Sequence, residues 1–418
     1  MEILKTLNFI IAAVFFICYA YQFFYIPAVL IKKDKPHSPE KKHRFAVLIC
    51  ARNEENVIAG LISSIHQQTY DRNLVRIFVM ADNCTDRTAN VARNAGAVVY
   101  KRTNSQLVGK GYALEALLEN IGRDYPRNYF DGFFVFDADN ILDRNYISEM
   151  NKTFSDGNDI ITSYRNSKNY GGNWISAGYA LWFLRESRYL NHARMLLGTS
   201  CAVSGTGFFF SRRILEKNGG WKFHLLTEDI EFTVHNIVNG EKVAFCPDAV
   251  LYDEQPTSFR QSWHQRMRWA KGYIQVYRRY GKDLAKGAVK GNFSCFDMAM
   301  AIMPAAVLTA VSRVINSAMA AATLMNGGSV APIFISLGQS ALNIYLTLLF
   351  VGGITTATEW KAIHTSTAKK ILYVFTFPLF MFTYIPISFF AIFAKVEWKP
   401  IAHSVNVNLA EYCTRESA

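Results

Sequence analysis

Gly132-Phe-Phe-Val-Phe-Asp137-Ala-Asp139 is the stretch that decides the fold, because an unbroken apolar run ends there abruptly in two carboxylates. A short run rich in Phe and Val predicts a strand that is buried on both faces. Side chains alternate along an extended chain, so Asp137 and Asp139 are expected on one face. Two such oxygen ligands suit Mg²⁺ or Mn²⁺. A single Asp-x-Asp is nevertheless common by chance, so the motif needs support from the rest of the chain.

The chain before this stretch alternates between strand and helix patterns. Apolar runs predict three more strands, at Phe45–Cys50, Val75–Met80 and Ala97–Lys101. Helical spacing of apolar residues predicts helices at Val57–Gln67, Asp86–Asn94 and Gly111–Asn120. Strands that alternate with helices indicate an α/β domain with a parallel sheet, whose ligands bind at the carboxyl ends of the strands.

Polar clusters follow the first two strands at that edge, over residues 51–55 and 81–86. A carboxylate in this place can accept hydrogen bonds from a base N–H and from ribose hydroxyls. Capping of the next helix is the alternative use of such a side chain. We interpret Asp82 as a binding residue, and Glu55 and Asp86 as helix caps.

Two further motifs lie later in the chain. Thr227-Glu-Asp-Ile230 holds a second acidic pair, and a buried carboxylate with a raised pKa can take a proton from an acceptor hydroxyl. In Gln265-Arg-Met-Arg-Trp269, the residues Gln265, Arg268 and Trp269 share one helix face. Arg supplies a bidentate fork for phosphate and Trp an apolar plate for a sugar ring. The alternative is a helix that simply packs its Trp.

Long apolar runs lie on both sides of this domain. The first, at about Leu7–Ile31, is roughly 25 residues long and is sufficient to cross a bilayer. Three more follow the domain, at about Ala299–Met325, Ala331–Ile354 and Ile371–Ala394. One span before the domain and three after it place the C-terminus on the opposite side from the domain. Two prolines interrupt the last run, so the alternative is a re-entrant segment that enters and leaves the membrane on the same side.

Two segments within the domain, Trp174–Leu197 and Phe259–Tyr280, mix aromatic with basic residues. They are interpreted as helices in the membrane interface, with ordinary surface helices as the alternative. The basic segment that follows the first apolar run is expected to be cytosolic. The expected organisation is an N-terminal transmembrane helix at 1–31, a basic linker at 32–44, a catalytic domain at 45–292, three apolar membrane segments at 293–395 and a tail at 396–418.

Composition agrees with a membrane protein that works in a reducing compartment. The net charge is +12 although only 19% of the residues are charged, as expected where Lys and Arg remain on the cytosolic side. A basic balance also suits phosphorylated substrates. The basic residues form no dense run with a nucleic-acid-binding signature, so no nucleic acid is expected as a partner. The seven cysteines include no CxxC pair, which argues against a zinc site and a disulfide framework.

In their order along the chain, these motifs resemble the processive-type members of glycosyltransferase family 2, which include cellulose, hyaluronan, chitin and poly-N-acetylglucosamine synthases. The family pattern is an Asp, an Asp-x-Asp, a (Thr/Glu)-Glu-Asp acid and a (Gln/Arg)-x-x-Arg-Trp. The matching positions here are Asp82, Asp137-Ala-Asp139, Thr227-Glu228-Asp229 and Gln265-Arg-Met-Arg268-Trp269. Two more segments look similar to family elements, namely Lys110-Gly-Tyr-Ala-Leu114 and the acceptor-side loop Ser204-Gly-Thr-Gly207. The resemblance covers roughly residues 45–275, and the joint order of the motifs is its specific part.

The resemblance implies a GT-A fold, an α/β catalytic domain with a Rossmann-like mixed sheet, with transmembrane helices at both ends. It also implies inverting transfer from a UDP-sugar. The implied site residues are Asp229 and Glu228 for catalysis, with Asp229 as general base; Glu54, Asp82, Lys110, Asp137 and Arg268 for the donor; Gln265, Trp269, Gly205 and Thr206 for the acceptor; and Asp139 with Asp137 for Mg²⁺ or Mn²⁺.

The expected function is that of a multi-pass plasma-membrane enzyme with a cytosolic catalytic domain. It would use UDP-glucose or UDP-N-acetylglucosamine to extend a β-linked polysaccharide, with export as an open further step and accessory or export subunits as further partners. The alternative is a lipid glycosyltransferase that adds one sugar to a membrane lipid, because ceramide glucosyltransferases carry the same motifs. A non-catalytic partner of a transporter is disfavoured by four intact motifs. The single N-terminal span departs from synthases that have two. Whether this chain alone forms a polymer channel is therefore an open question.

Overall fold

A computed structural model describes residues 2–34, 36–302, 304–325 and 331–396. The catalytic domain is built on one sheet whose strands lie in the order β3-β2-β1-β4-β7-β6-β8-β5. The strands are β1 Phe45–Ala51, β2 Val75–Asp82, β3 Val98–Arg102, β4 Gly132–Asp137, β5 Ile141–Leu142, β6 Ile160–Ser167, β7 Phe208–Ser211 and β8 Val243–Asp253.

Helices cover both faces of the sheet and continue beyond it at both ends of the chain. They are α1 Glu2–Tyr19, α2 Tyr25–Ile31, α3 Ile58–His66, α4 Thr88–Asn94, α5 Lys110–Asp124, α6 Tyr146–Ser155, α7 Trp174–Arg185, α8 Ala193–Leu197, α9 Arg212–Lys217, α10 Glu228–Val238, α11 Phe259–Val289, α12 Phe293–Ile302, α13 Pro304–Met325, α14 Ala331–Thr358, α15 Thr367–Phe382 and α16 Tyr384–Phe393. Short 3₁₀ helices occupy Ala20–Phe24 and Arg72–Leu74, and Glu186–His192 is a π-helix.

The sheet is mixed, with a parallel half that the sequence pattern predicts. Strand β1 pairs in parallel with β2 and β4, and β2 with β3. Every side chain from Phe45 to Ile49 in β1 is fully buried, which explains why this strand is a continuous apolar run rather than an alternating one. The other half departs from the parallel arrangement, because β7 runs antiparallel to both β4 and β6.

The apolar ends of the chain differ from the sequence-based expectation. The N-terminal run is divided into α1 and α2 by the 3₁₀ turn at Ala20–Phe24. Within the described residues, two helical stretches are long and apolar enough to cross a membrane, Leu337–Thr358 and Thr367–Phe393. Both lie near the C-terminus, so spans at both ends of the catalytic domain stay a prediction. The expected tail lies outside the described residues from residue 397 onward.

The turn between α14 and α15 rests on the catalytic domain. Tyr164 of β6 donates its hydroxyl to Glu359, and Asn166 donates its side-chain N–H to the carbonyl of Ala362 at 2.8 Å. Lys369 reaches the carbonyl of Gly171 at 2.7 Å. The start of α15 is therefore fixed at the level of the catalytic domain.

The far end of this helix pair also contacts the catalytic domain, through α11. Arg266 is fully buried and donates to the Thr383 hydroxyl at 2.6 Å, where α15 gives way to α16. Lys271 donates to the carbonyl of Ile392 at 3.2 Å. The helix pair α15–α16 therefore contacts the domain near both of its ends, and the re-entrant course stays a prediction.

A buried ion pair joins the N-terminal helices to the domain. Arg194 of α8 forms two hydrogen bonds to Asp297 of α12, at 2.6 and 3.0 Å. The hydroxyls of Tyr21 and Tyr25 donate to the same carboxylate, at 2.6 and 3.1 Å. The two charged side chains are 2% and 0% exposed, so each depends on the other for compensation of its charge.

We expect Asp297→Asn to destabilise the protein by about 3–5 kcal/mol, because it leaves the buried Arg194 without an anionic partner. Thermal unfolding of the full chain in detergent measures this loss. Glu216→Gln is the matched control, since it removes a carboxylate from an ion pair with Arg127 in which the side chains are 40% and 80% exposed, and such pairs contribute about 0–1 kcal/mol. Equal melting temperatures for the two variants would contradict the assigned role.

Candidate active site

The register of the central strands brings the predicted polar clusters together at one edge. Cys50 of β1 lies opposite Asp137 of β4, and Ala51 lies opposite Ala81 of β2. Asp82 and Asp137 therefore end adjacent parts of the sheet, above a cavity of about 930 Å³ including its open mouth. The cavity is lined by Cys50, Ala51, Arg52, Glu54, Asp82, Gly109, Lys110, Ala113, Asp137, Ala138, Gly205, Leu226, Thr227, Glu228, Asp229, Arg268 and Trp269.

Lys110, the first residue of α5, lies at the centre of this cavity. Its ammonium contacts the Asp137 carboxylate and donates to the carbonyl of Gly205 at 2.7 Å. Burial by itself would lower the pKa of Lys110, but the negative charges of Asp137 and Glu228 outweigh burial and raise the pKa above its usual value. Lys110 is therefore a fixed cation in the cavity.

The loop Ser204–Gly207 connects the strand end to the acidic pair. Gly205 and Gly207 have φ of 76° and 64°, a left-handed conformation that glycine adopts at low cost. The Thr206 hydroxyl accepts the backbone N–H of Asp137 at 2.9 Å, and the backbone N–H of Gly205 donates to Asp229 at 2.6 Å. This loop thus links the strand end at Asp137 to the acidic pair.

Glu228 and Asp229 begin α10 and face the same cavity. Burial, followed by the charge of Asp229, raises the pKa of Glu228 to about 7. Burial also raises the pKa of Asp229, against the backbone N–H groups of Ile230 and Gly205 and the cation Lys110, which favour the ionised form. Since the two carboxylates interact, they titrate as a pair. The arrangement suits a base that accepts a proton near neutral pH.

The helix α11 brings Arg268 and Trp269 to the opposite wall. Arg268 donates to the carbonyl of Leu226 at 3.3 Å. Trp269 lines the cavity and also packs edge-on against Tyr179 and Phe183 of α7, with ring centroids 5.7 and 6.1 Å away. The aromatic side chain therefore both packs and faces the cavity, so the two alternatives drawn from the sequence are compatible.

The Asp82 carboxylate, which ends β2, is almost fully buried and has a cationic partner. Arg102, the last residue of β3, donates to Asp82 at 2.6 Å. Asn53 and Asn83 follow β1 and β2 with φ of 58° and 52°, the two positive values among the described residues other than glycine. Their side chains accept the backbone N–H groups of Thr85 and Asn104, each at 2.8 Å. These turns hold the two strand-end clusters against each other.

Three residues expected in the site lie outside the lining of the cavity. Asp139 is buried, and its carboxylate accepts the backbone N–H of Glu254 at 2.9 Å. Thr206 is buried beneath the loop, where its hydroxyl supports Asp137. Gln265 shares the helix with Trp269 but does not line the cavity, and its Oε1 is buried without a hydrogen-bond partner in the described part of the chain.

A family profile described as glycosyltransferase like family 2 matches residues 43–272, which is more than half of the chain. The chain belongs to glycosyltransferase family 2. The matched range contains the whole cavity lining, from Cys50 to Trp269, so the family assignment and the geometry concern the same domain.

Curated relatives of this family 2 chain include enzymes with two kinds of product. A beta-monoglucosyldiacylglycerol synthase from Synechocystis sp. is 25% identical over 240 residues, covering 56% of this chain and 48% of that protein. A poly-beta-1,6-N-acetyl-D-glucosamine synthase from Staphylococcus aureus is 24% identical over 249 residues, covering 56% of this chain and 55% of that protein. The aligned part of the chain thus spans about half the length of these relatives.

A solved structure shares the fold over nearly the whole chain. The mannosyltransferase PcManGT from Pyrobaculum calidifontis, in complex with GDP-Man and Mn²⁺, has a TM-score of 0.58 and 16% sequence identity, covering 93% of this chain and 98% of that one. The fold of this family 2 chain is therefore of the GT-A type with a mixed sheet, as the resemblance implied.

Some residues of the family 2 site were not evident in the sequence. Arg165 of β6 donates to Asp253 at 2.6 Å and to the carbonyl of Ser204 at 2.9 Å, and so supports the loop next to Asp229. Asp253 and Ser204 are both distant from Arg165 in the sequence, so no local pattern predicts these hydrogen bonds. By contrast, Asp86 accepts the backbone N–H of Thr88 at 3.0 Å, which agrees with its interpretation as a cap.

We expect the turnover of this family 2 enzyme to rise with pH on the acid side and to level off above about pH 7, because the acidic pair must lose a proton to act as a base. The measurement is kcat/KM for the donor across the pH range in which the protein stays folded. In Glu228→Gln, Asp229 loses its negative neighbour, so the acid limb should move to lower pH. A profile that is flat between about pH 5 and about pH 8 would contradict the assignment.

Proposed function

We propose that this chain is a membrane-associated inverting glycosyltransferase that moves one sugar from a UDP-sugar to a hydroxyl of a membrane lipid. The observation that carries the proposal is the convergence of Asp137, Lys110, Asp229 and Arg268 with Trp269 in one cavity. Two acidic groups and two cations in one cavity suit a diphosphate leaving group and a proton acceptor. The family assignment supports the reaction class.

The donor would lie along the strand ends. We infer that Asp82 and Glu54 face the nucleoside, since both line the cavity beyond β2 and β1. Lys110 and Arg268 supply positive charge for the diphosphate, and Arg268 offers two parallel N–H groups to phosphate oxygens. As negative charge develops on the leaving UDP, these fixed cations stabilise it without reorganisation.

The residues present fit a divalent cation that completes its ligand set with the diphosphate. Asp137 offers a carboxylate to the cavity, whereas the buried Asp139 carboxylate accepts the backbone N–H of Glu254 and does not line the cavity. Within the described residues, no group of three His, Cys, Asp or Glu side chains is arranged to hold a metal by itself. Mg²⁺ is commonly held by one or two carboxylates plus substrate phosphates. When bound, the cation would neutralise charge on the leaving diphosphate.

Asp229 would act as the general base. The acceptor hydroxyl oxygen forms a bond to C1 of the sugar while the bond from C1 to the diphosphate oxygen breaks. The hydroxyl proton passes to the Asp229 carboxylate, and UDP leaves with the electron pair. Attack from the face opposite the leaving group inverts the configuration at C1. Asp229 is held for this role by the backbone N–H of Gly205.

The packing next to Trp269 supports a lipid acceptor. Tyr179 and Phe183 fill the space behind Trp269, and Phe380 of the apolar helix α15 packs on Tyr179 with ring centroids 5.0 Å apart. The acceptor-side wall is therefore continuous with side chains of an apolar helix, which suits a substrate that enters from the membrane.

A polysaccharide product is the second candidate. The Trp269 side chain reaches the cavity and can stack on a terminal sugar, and a relative named as a poly-N-acetylglucosamine synthase covers the same domain. The relative named as a glucosyldiacylglycerol synthase supports the first candidate to the same degree. The nature of the product separates the two.

The test is product analysis with radiolabelled UDP-glucose and UDP-N-acetylglucosamine, using the full chain in membranes that contain lipid acceptors. We expect a single product that partitions into organic solvent. A ladder of water-soluble glycans would replace the first candidate by the second. Release of neither product nor UDP from either donor would contradict the proposed function.

We further expect excess chelator to abolish transfer and Mg²⁺ or Mn²⁺ to restore it, because the cavity carboxylates provide only part of a cation's ligand set. The measurement is UDP release before and after metal is added back. Asp137→Asn should lose the response to metal, whereas Glu241→Gln, far from the cavity, should keep it. Full turnover in chelator would contradict this part of the proposal.

A further inference from the structure

The segment Phe223–Thr227 is a short loop between the donor side and the acceptor side of the cavity. It leads directly into Glu228 and Asp229, and two of its residues, Leu226 and Thr227, line the cavity. Neither the sequence motifs nor the family roles explain what holds this loop. Because the acidic pair follows it at once, its conformation sets where both carboxylates lie.

Glu231 is the central contact of this loop. Its side chain is fully buried, one turn after Glu228 on α10. One carboxylate oxygen accepts the backbone N–H groups of both His224 and Leu225, each at 2.9 Å. A buried carboxylate that accepts backbone N–H groups is strongly bound to them. Glu231 therefore anchors the loop to the helix that carries the acidic pair.

One face of α11 contacts the same loop along several turns. Arg268 donates to the carbonyl of Leu226 at 3.3 Å, and Gln275 accepts the backbone N–H of Leu226 at 3.2 Å. Gly272 lies against Thr227 so closely that an added Cβ would come within 2.5 Å of its side chain. Positions 268, 272 and 275 fall on one helix face. The face that presents Arg268 is thus matched to this loop.

The other side of the loop contacts the start of α5. A Cβ added at Gly111 would lie 2.0 Å from the carbonyl oxygen of Phe223, so only glycine allows this approach. Tyr112 stacks on His224 with ring centroids 4.3 Å apart and an angle of 13° between the planes. Gly111 and Tyr112 directly follow Lys110 in the sequence. The loop therefore contacts both α5, which begins with Lys110, and α11, which carries Arg268.

We propose that Glu231, together with Gln275, is a positioning residue for glycosyl transfer. It holds the loop Phe223–Thr227 in the conformation that aligns Arg268 with the acidic pair. Glu231 does not line the cavity, so it acts through the loop and not on the donor. This inference rests on the proposed function, since it assumes that Arg268 and Asp229 act in transfer.

Glu231→Gln and Gln275→Met in the full chain test the inference. The readouts are kcat and KM with UDP-glucose and UDP-N-acetylglucosamine, the Kd of UDP and thermal unfolding. We expect Glu231→Gln to lower kcat by about 10- to 100-fold, because a neutral amide oxygen binds the backbone N–H groups of His224 and Leu225 less strongly than a carboxylate does, and a small misplacement of reacting groups has a large effect on rate. The Kd of UDP should rise by a smaller factor than kcat falls, since Arg268 faces the diphosphate while the acidic pair acts only in transfer. Gln275→Met should lower kcat in the same sense, and the double variant should lose less than the product of the two single effects.

Two controls separate positioning from general stability. Glu241→Gln removes a carboxylate from a surface ion-pair cluster and should leave kcat unchanged. Arg279→Met removes the 2.8 Å ion pair to Glu231 at a side chain that is 55% exposed, and leaves the backbone contacts in place. It should therefore lower kcat by a smaller factor than Glu231→Gln does, because both backbone N–H groups still bind the carboxylate. If Glu231→Gln does not fold, the kcat of Gln275→Met tests the inference instead, since that variant removes no charge.

The inference is overturned if folded Glu231→Gln and Gln275→Met both keep kcat within about twofold of the parent chain. It is also overturned if UDP affinity falls in step with kcat, or if Arg279→Met is as harmful as Glu231→Gln. A parent chain that turns over neither UDP-sugar contradicts the proposed function instead, so the two failures are distinguishable.

Discussion

The ammonium of Lys110 holds the two halves of the cavity together. It contacts the Asp137 carboxylate at the end of β4 and the carbonyl of Gly205, whose own N–H donates to Asp229. A cation removed from water needs such partners, because unpaired burial is costly. The donor side and the base are thereby linked through one side chain and one loop. The arrangement explains why the loop has two glycines with positive φ and why Thr206 lies beneath it, bonded to the backbone of Asp137.

The apolar helices are attached to this domain by polar contacts, not only by apolar packing. Asp297 binds Arg194 and two tyrosines of the N-terminal segment, and Arg266 binds the junction of α15 and α16. Arg266 is the neighbour of Gln265 in the motif that also contains Trp269. The motif helix therefore has one side in the cavity and another against an apolar helix pair. This geometry connects the acceptor side of the site to the membrane in our proposal.

The sequence predicts the parallel half of the sheet and most of the cavity, because both depend on local patterns. Continuous apolar runs mark β1, β2 and β4, and the carboxylates at their ends meet through parallel register. The residue pattern did not reveal the other half of the sheet, although the resemblance implied a mixed sheet. There β6 pairs antiparallel with β7 and parallel with β8, across long stretches of chain that no short pattern records. For the same reason the sequence did not predict the contacts of Arg165 and Glu231, because their hydrogen-bond partners lie in other parts of the fold. Asp139 and Thr206 match family motifs, yet their side chains hydrogen-bond within the domain, away from the cavity.

The central claim is that Asp229 accepts the proton of the acceptor hydroxyl while other residues hold the donor. The most direct measurement compares UDP affinity and glycosyl transfer in Asp229→Asn, a variant of nearly the same shape that can still accept the N–H of Gly205. We expect a loss of transfer of about 10²- to 10⁴-fold, because a general base is removed, with the Kd of UDP within about threefold of the parent chain. Transfer close to that of the parent chain, or UDP binding weakened about tenfold or more, would contradict it.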